Sequence, residues 1–103
     1  MLRVRNYDIK EINIRNYSSN NNTALELVCE DGVPLAIITK NLEDLLENNM
    51  AYIDTNNCPW AEDFLIDNDF GLPTGEYKAS GFCNYPLYKL DLEEISRYNL
   101  TNQ

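Results

Sequence analysis

Apolar residues fall at every second position near the start of the chain. Leu2, Val4, Ile12 and Ile14 alternate with Arg3, Arg5, Asn13 and Arg15, a period of two that marks a strand with one buried face. Residues 6–10 interrupt the pattern, which predicts two short strands over 2–14. The polar stretch 18–22 predicts a loop. Over 23–30, Leu25, Leu27 and Cys29 face one way and Glu26 and Glu30 the other, as in a strand. Asp31-Gly32 is a hairpin turn signal, and 35–42 is the return strand. Its run Leu35-Ala36-Ile37-Ile38 is continuously apolar, which suggests an interior place in the sheet.

Beyond this hairpin the period changes. Leu42, Leu45 and Leu46 stand at i, i+3 and i+4, predicting one or two helical turns over 43–49, and 51–54 reads as another strand. The principal helix is expected at about 58–70. Asn57 or Cys58 can cap it, Pro59 suits its first turn, and Glu62 and Asp63 complement the helix dipole. Trp60, Ala61, Phe64 and Leu65 form its buried stripe, Gly71 is placed to end it, and Pro73 prevents resumption. Pro73-Thr74-Gly75 reads as a turn. Residues 76–82 and 84–90 read as two strands meeting near Gly81, and Leu92, Ile95 and Tyr98 have the spacing of a short closing helix. The sum is an α+β fold, a mainly antiparallel sheet with one principal helix and short accessory helices, in a single domain over residues 1–103.

Composition sharpens this picture where charge is concerned. The net charge is −9, and 44% of the residues are hydrophobic. Between Lys40 and Lys78 there is no cation at all, while Glu43, Asp44, Glu47, Asp54, Glu62, Asp63, Asp67, Asp69 and Glu76 all fall there. The N-terminal end is mildly basic, with Arg3, Arg5, Lys10 and Arg15 against Asp8 and Glu11. An acidic half of this kind meets basic protein surfaces and is repelled by nucleic-acid phosphates and anionic membranes. No direct nucleic-acid or membrane partner is therefore expected, and the chain is expected to be a monomer or a small homo-oligomer. Residues 1–16 are charged and interrupted, so no signal peptide is expected. No apolar run nears the ~20 residues of a membrane span. Together with three cysteines, Cys29, Cys58 and Cys83, that form no paired spacing, this predicts reduced thiols and a cytoplasmic location.

The chain contains no histidine, the side chain most used for proton transfer near neutral pH. Cys58 and Cys83 thus lack the usual base of a cysteine nucleophile, and no zinc set can be completed. Asp54 to Asn57 with Glu62 offers oxygen donors but not the spacing of a calcium loop, and turn or cap chemistry explains these residues. Paired carboxylates could serve a glycosidase, yet nothing marks a substrate groove. Gly71, Gly75 and Gly81 do not form a phosphate loop. No catalytic, metal-binding or cofactor-binding residue is expected, and no cofactor.

The acids have a more specific reading as a binding surface. Glu62, Asp63 and Asp67 lie off the Trp60/Phe64 stripe and are expected to project together, extended by Asp69, Asp54, Glu43, Asp44 and Glu47. On a rigid face such carboxylates can occupy arginines that normally hold a nucleic-acid backbone. The plain alternative is a solvated helix face. Tyr77 and Tyr85, within a tyrosine-rich segment that includes Phe82, Tyr88 and Tyr98, are further candidate contacts, the alternative being core packing.

Several pieces between residues 24 and 90 are familiar together: Asp54-Thr55-Asn56-Asn57, Pro59-Trp60-Ala61-Glu62, Phe64, Thr74-Gly75, Ser80-Gly81-Phe82-Cys83 and Tyr85-Pro86-Leu87-Tyr88, with Glu30-Asp31-Gly32 and Asn41-Leu42 upstream. They resemble a small uncharacterised domain family carried by conjugative elements and phages of Gram-positive bacteria. Residues 2–16 and the final helix depart from it. The resemblance implies an inhibitor of bacterial defence, an anti-CRISPR protein acting on a Cas9-type effector in the host cytoplasm. The implied partner is a protein with a basic nucleic-acid-binding surface, blocked by an acidic DNA mimic. The alternatives are an accessory protein binding a conjugation or replication factor, and a sponge for a nucleotide signal built on Arg3, Arg5, Lys78 and Tyr85.

Overall fold

A computed structural model describes residues 2–101; Met1, Asn102 and Gln103 lie outside the described residues. The fold is α+β, two four-stranded antiparallel sheets with two helices. In the first sheet β1 (Leu2–Val4), β2 (Tyr7–Asn16), β3 (Thr23–Cys29) and β4 (Pro34–Ile37) lie in chain order. The break between β1 and β2 is only the Arg5-Asn6 turn, with Arg5 at φ 57°. The interruption expected over 6–10 is thus shorter than its polar residues suggested, because pairing to β1 and β3 carries strand geometry through Tyr7 and Asp8.

The second sheet has the order β5 (Thr39–Lys40), β6 (Met50–Ile53), β8 (Cys83–Leu90), β7 (Gly71–Ser80). The expected return strand over 35–42 is therefore two edge strands in two sheets. Chain passage from one to the other centres on Ile38, which is fully buried. Its N–H donates to Leu25 O at 3.0 Å, and its carbonyl accepts from Asp54 N–H at 2.8 Å. The continuous apolar run suggests an interior place, but Ile37 is 46% exposed on its edge strand.

One hydrophobic cluster joins the sheets. Val4, Ile9, Ile12, Leu25 and Leu27 meet Ala51, Ile53, Tyr88 and Leu90, with Phe64 and Leu65 from α1 (Ala61–Asp67) and Ile95 from α2 (Leu92–Thr101). A smaller cluster lies on the other face of the second sheet. There Tyr52, Tyr85 and Leu87, which alternate with the main-core residues along β6 and β8, are covered by Leu42, Leu46, Met50 and Cys83.

The covering segment, 41–49, is an irregular strap rather than the expected helical turns. A helix would join Leu46 N–H to Leu42 O. Here Leu42 O accepts instead from Asn20 Nδ2 at 3.2 Å, and Leu46 N–H donates to Asn22 Oδ1 at 2.9 Å. Side chains from the 18–22 loop have taken over both partners, a competition that asparagine is suited to win. Asn22 Nδ2 also donates to Asp44 O at 2.6 Å, and Thr23 Oγ1 to Asn48 O at 2.6 Å.

Helix α1 is seven residues long, shorter than the expected 58–70, because the chain ahead of it is occupied by a turn. Asp54 accepts from Asn57 N–H and Nδ2 at 3.2 and 2.9 Å, and Trp60 at the N-cap makes no side-chain cap. The helix ends at Asp69, φ 60°, not at Gly71. Phe70 N–H reaches back to Leu65 O and Asp69 N–H to Ile66 O, at 2.8 and 3.2 Å, and Phe70 packs on Phe64 at 5.8 Å; this is a Schellman ending without glycine. Gly71 instead opens β7, where a Cβ would come within 3.2 Å of Lys89 O. Trp60 is half-buried at the rim of the core, edge-on to Phe64 at 6.4 Å, rather than fully inside it.

Candidate protein-binding surface

The expected acidic array is divided by the second sheet. α1 packs on the Tyr88/Leu90 face, whereas the strap with Glu43, Asp44 and Glu47 covers the Tyr52/Tyr85/Leu87 face. Within α1, Asp63 and Asp67 are exposed one turn apart. Asp69 is exposed at the helix end. Glu62, expected to project with them, is half-buried and accepts a 2.7 Å hydrogen bond from the Tyr88 hydroxyl. Burial, then this carboxylate, pushes the Tyr88 phenol far above its ordinary range.

Two further candidates are consumed by the fold. Asp54 is 7% exposed and holds the turn before α1, so it presents no carboxylate outward. Tyr85 is 4% exposed in the smaller cluster, so it is not a surface contact. Lys40 Nζ lies 5.8 Å from its ring centre. Tyr77, by contrast, is exposed. The four residues considered for a nucleotide site divide between the sheets: Arg3 lies in β1 and Arg5 in the turn after it, whereas Lys78 and Tyr85 face each other across β7 and β8, where Lys78 binds Asp44 and Tyr85 is buried.

Asp44 has a structural duty as well. It accepts from Lys78 Nζ and, at 2.9 Å, from the Tyr52 hydroxyl. The Lys78 bond first and the Tyr52 bond second hold its carboxyl below the usual range. Tyr52 is correspondingly pushed up to about 12 by burial, by its bond to Asp44, and by the charges of Asp44 and Glu76. This trio ties the strap down onto β6 and β7.

Next to it, β7 departs from regular pairing. Register shifts between Pro73 and Tyr77, where Gly75 takes φ 89°, a conformation that needs glycine. Thr74 Oγ1 donates to Leu87 O at 2.9 Å and accepts from Glu76 N–H at 3.1 Å. The expected Pro73-Thr74-Gly75 turn is thus a bulge inside one ten-residue strand. The bulge brings Glu76 beside the strap, at a groove of 710 Å³ whose lining includes Asp44, Leu45, Leu46, Tyr52 and Leu87. Asn20, Asn22, Leu45 and Glu76 are not among the contacts expected from sequence, where Leu45 figures only in a leucine spacing and Glu76 only in the acidic stretch. The sequence signal for Glu76 was its place after Pro73 and Gly75; the asparagines carried only a loop signal.

The hairpin between β7 and β8 turns through Gly81 and Phe82, and Phe82 stands fully in solvent at its tip. Among the described residues no group of three or more Cys, Asp or Glu is arranged to hold a metal ion, and no helix is long and apolar enough to cross a membrane. Burial pushes the Cys29 and Cys58 thiols up, with Asp31 and Asp54 adding to it, which makes them poor nucleophiles.

A family model described as a domain of unknown function (DUF4313) matches residues 11–102. Comparisons with curated proteins and with solved structures find no match.

Proposed function

This chain belongs to the DUF4313 family, and we propose that it works by binding a protein partner, without catalysis. One observation carries the reading: the exposed acids Glu43, Glu47, Asp63, Asp67, Asp69 and Glu76 make no ion pair among the described residues. Uncompensated like charge weakens the compact state, and a docking basic surface relieves that repulsion and steers its own approach. The partner is thus a protein whose arginines and lysines otherwise hold nucleic acid.

The finer reading is an anti-CRISPR protein, carried by a phage or conjugative element, that acts in the bacterial cytoplasm on a Cas9-type effector. Its support is the sequence resemblance over residues 24–90. The acids would occupy the cations that hold the DNA beside the protospacer or the guide–target duplex. The test is a titration of the protein into guide-loaded effector, reading DNA binding and cleavage. Inhibition is expected to saturate at a stoichiometric dose, and binding to weaken as salt rises. Asp63→Lys with Asp67→Lys should weaken binding at an unchanged melting temperature. Glu62 is left intact in this variant because Tyr88 depends on it. Inhibition by far fewer protein molecules than effector molecules would overturn the non-catalytic reading. Absence of binding would overturn the effector assignment.

A further inference from the structure

We propose that the groove between the strap and the β7 bulge is a receptor for one long cationic side chain, arginine ahead of lysine, presented by a protein partner. The proposal deepens the acidic-surface reading above and rests on it for the kind of partner. The groove holds 710 Å³, room for such a side chain and part of its backbone.

Three features of the groove define its occupant. The first is charge. Lys78 cancels Asp44, so Glu76 is left as the uncompensated charge, with a carboxylate in no ion pair among the described residues. Glu76 and Tyr52 both line the groove. One net negative charge fits one cation. The second is the apolar wall. Leu46 and Leu87 pack in the smaller cluster, but Leu45, on the strap at the groove, is 80% exposed. Aliphatic walls ending in a carboxylate suit the methylene stem and charged head of a long basic residue. The third is acceptor capacity. Asp44 uses one lone pair of each oxygen for Lys78 and Tyr52, so each oxygen retains one for a further donor. A guanidinium spans two acceptors in a fixed fork and sheds water more readily than an ammonium, which puts arginine ahead.

The test titrates an acetylated, amidated Gly-Arg-Gly peptide into the isotope-labelled full chain and follows amide NMR shifts. Shifts are expected at Leu45, Leu46, Glu76, Tyr77 and Leu87. The lysine peptide should bind more weakly, and a peptide with neutral citrulline in place of arginine should leave the spectrum unmoved. Glu76→Gln should weaken the arginine peptide about ten-fold, while Glu30→Gln in the turn after β3 should change nothing. Retained dispersion of the amide spectrum shows that each variant is folded. Shifts confined to α1, shifts spread over all acids, or no shift overturn the groove. So does movement of the groove amides on concentrating the protein alone, since that identifies a second copy as occupant. If the peptide seats in the groove but no basic partner binds the chain, the reading under Proposed function fails and the groove stands. If a basic partner binds and the peptide does not, the groove alone fails.

Discussion

Asp69 holds a left-handed backbone conformation at the end of α1, where glycine is the usual residue. Its Cβ strains that position, and its charge sits at the negative end of the helix dipole. Asp69→Gly is expected to raise stability by up to about 1 kcal/mol, read as a higher denaturant midpoint at constant slope. A lower midpoint would mean that the carboxylate makes a compensating interaction. Phe64 and Trp60 rank differently from their sizes. Phe64→Ala, at 6% exposure, should cost about 3–5 kcal/mol. Trp60→Ala should cost less, because that side chain is only partly buried at the rim of the core; urea denaturation of the two variants settles the order. The Asp44 site gives two pH limbs. The folded-state pKa of Asp44 is lowered, so its contribution is present above the ordinary carboxylate pKa and is lost as pH falls through the folded value. Asp44→Asn should flatten that part of the acid limb, below about pH 4. Tyr52 is raised to about 12, so its contribution is present below about pH 10 and lost on the way to about 12. Tyr52→Phe should remove that basic slope in pH-dependent melting.

At the scale of elements, the strap depends on a neighbour 22 to 24 residues upstream. Asn22 is 4% exposed and binds Asp44 O and Leu46 N–H. Asn22→Ala leaves both backbone groups without these partners, a loss of about 1–3 kcal/mol. Hydrogen exchange should quicken over 41–49 while β2 and β3 keep their protection. Equal acceleration everywhere would show that the strap is not a separable unit. The same contact explains why the strap was misread. Leucines at 42, 45 and 46 suit a helix face, and two of them equally suit a strap over a small core; only the distant asparagines decide. The hairpins were legible because their turns are local, Asp31-Gly32 in one and the Gly81 region in the other. The transfer of the chain at Ile38 was not, since a continuous apolar run carries no mark of a change in partner. The same division holds for the candidate site. The acids were visible as composition, but whether Glu62 and Asp44 are free depends on Tyr88 and Lys78, far along the chain. Asp54 is consumed by Asn57 only three residues away, so the local turn spacing itself carries the signal that removes it from the surface set.

At the scale of the molecule, the two sheets hold each other's parts. After β4 the chain leaves the first sheet and, as β5, forms the edge of the second, where Thr39 pairs with Ile53 and Lys40 with Tyr52. α2 follows the second sheet in sequence yet seals the first. Asn99 there accepts from Ile12 N–H and donates to Ile12 O, both at 2.8 Å, and so stands in for a missing strand. Tyr98 accepts from Leu2 N–H and donates to Ile9 O. Asn99→Ala should therefore bare the β2 edge and promote self-association at high concentration, visible by light scattering; a strictly monomeric variant would show that edge to be blunted by other means. The reciprocity has a further consequence for a chain cut in the strap. A fragment ending at residue 45 would carry a strand the other half lacks, and the fragment beginning at 46 would carry the first half's missing cover. Each piece is an incomplete fold whose complement is its own other half. Mixed together, the two pieces are expected to reassemble, read as recovery of the intact chain's amide dispersion.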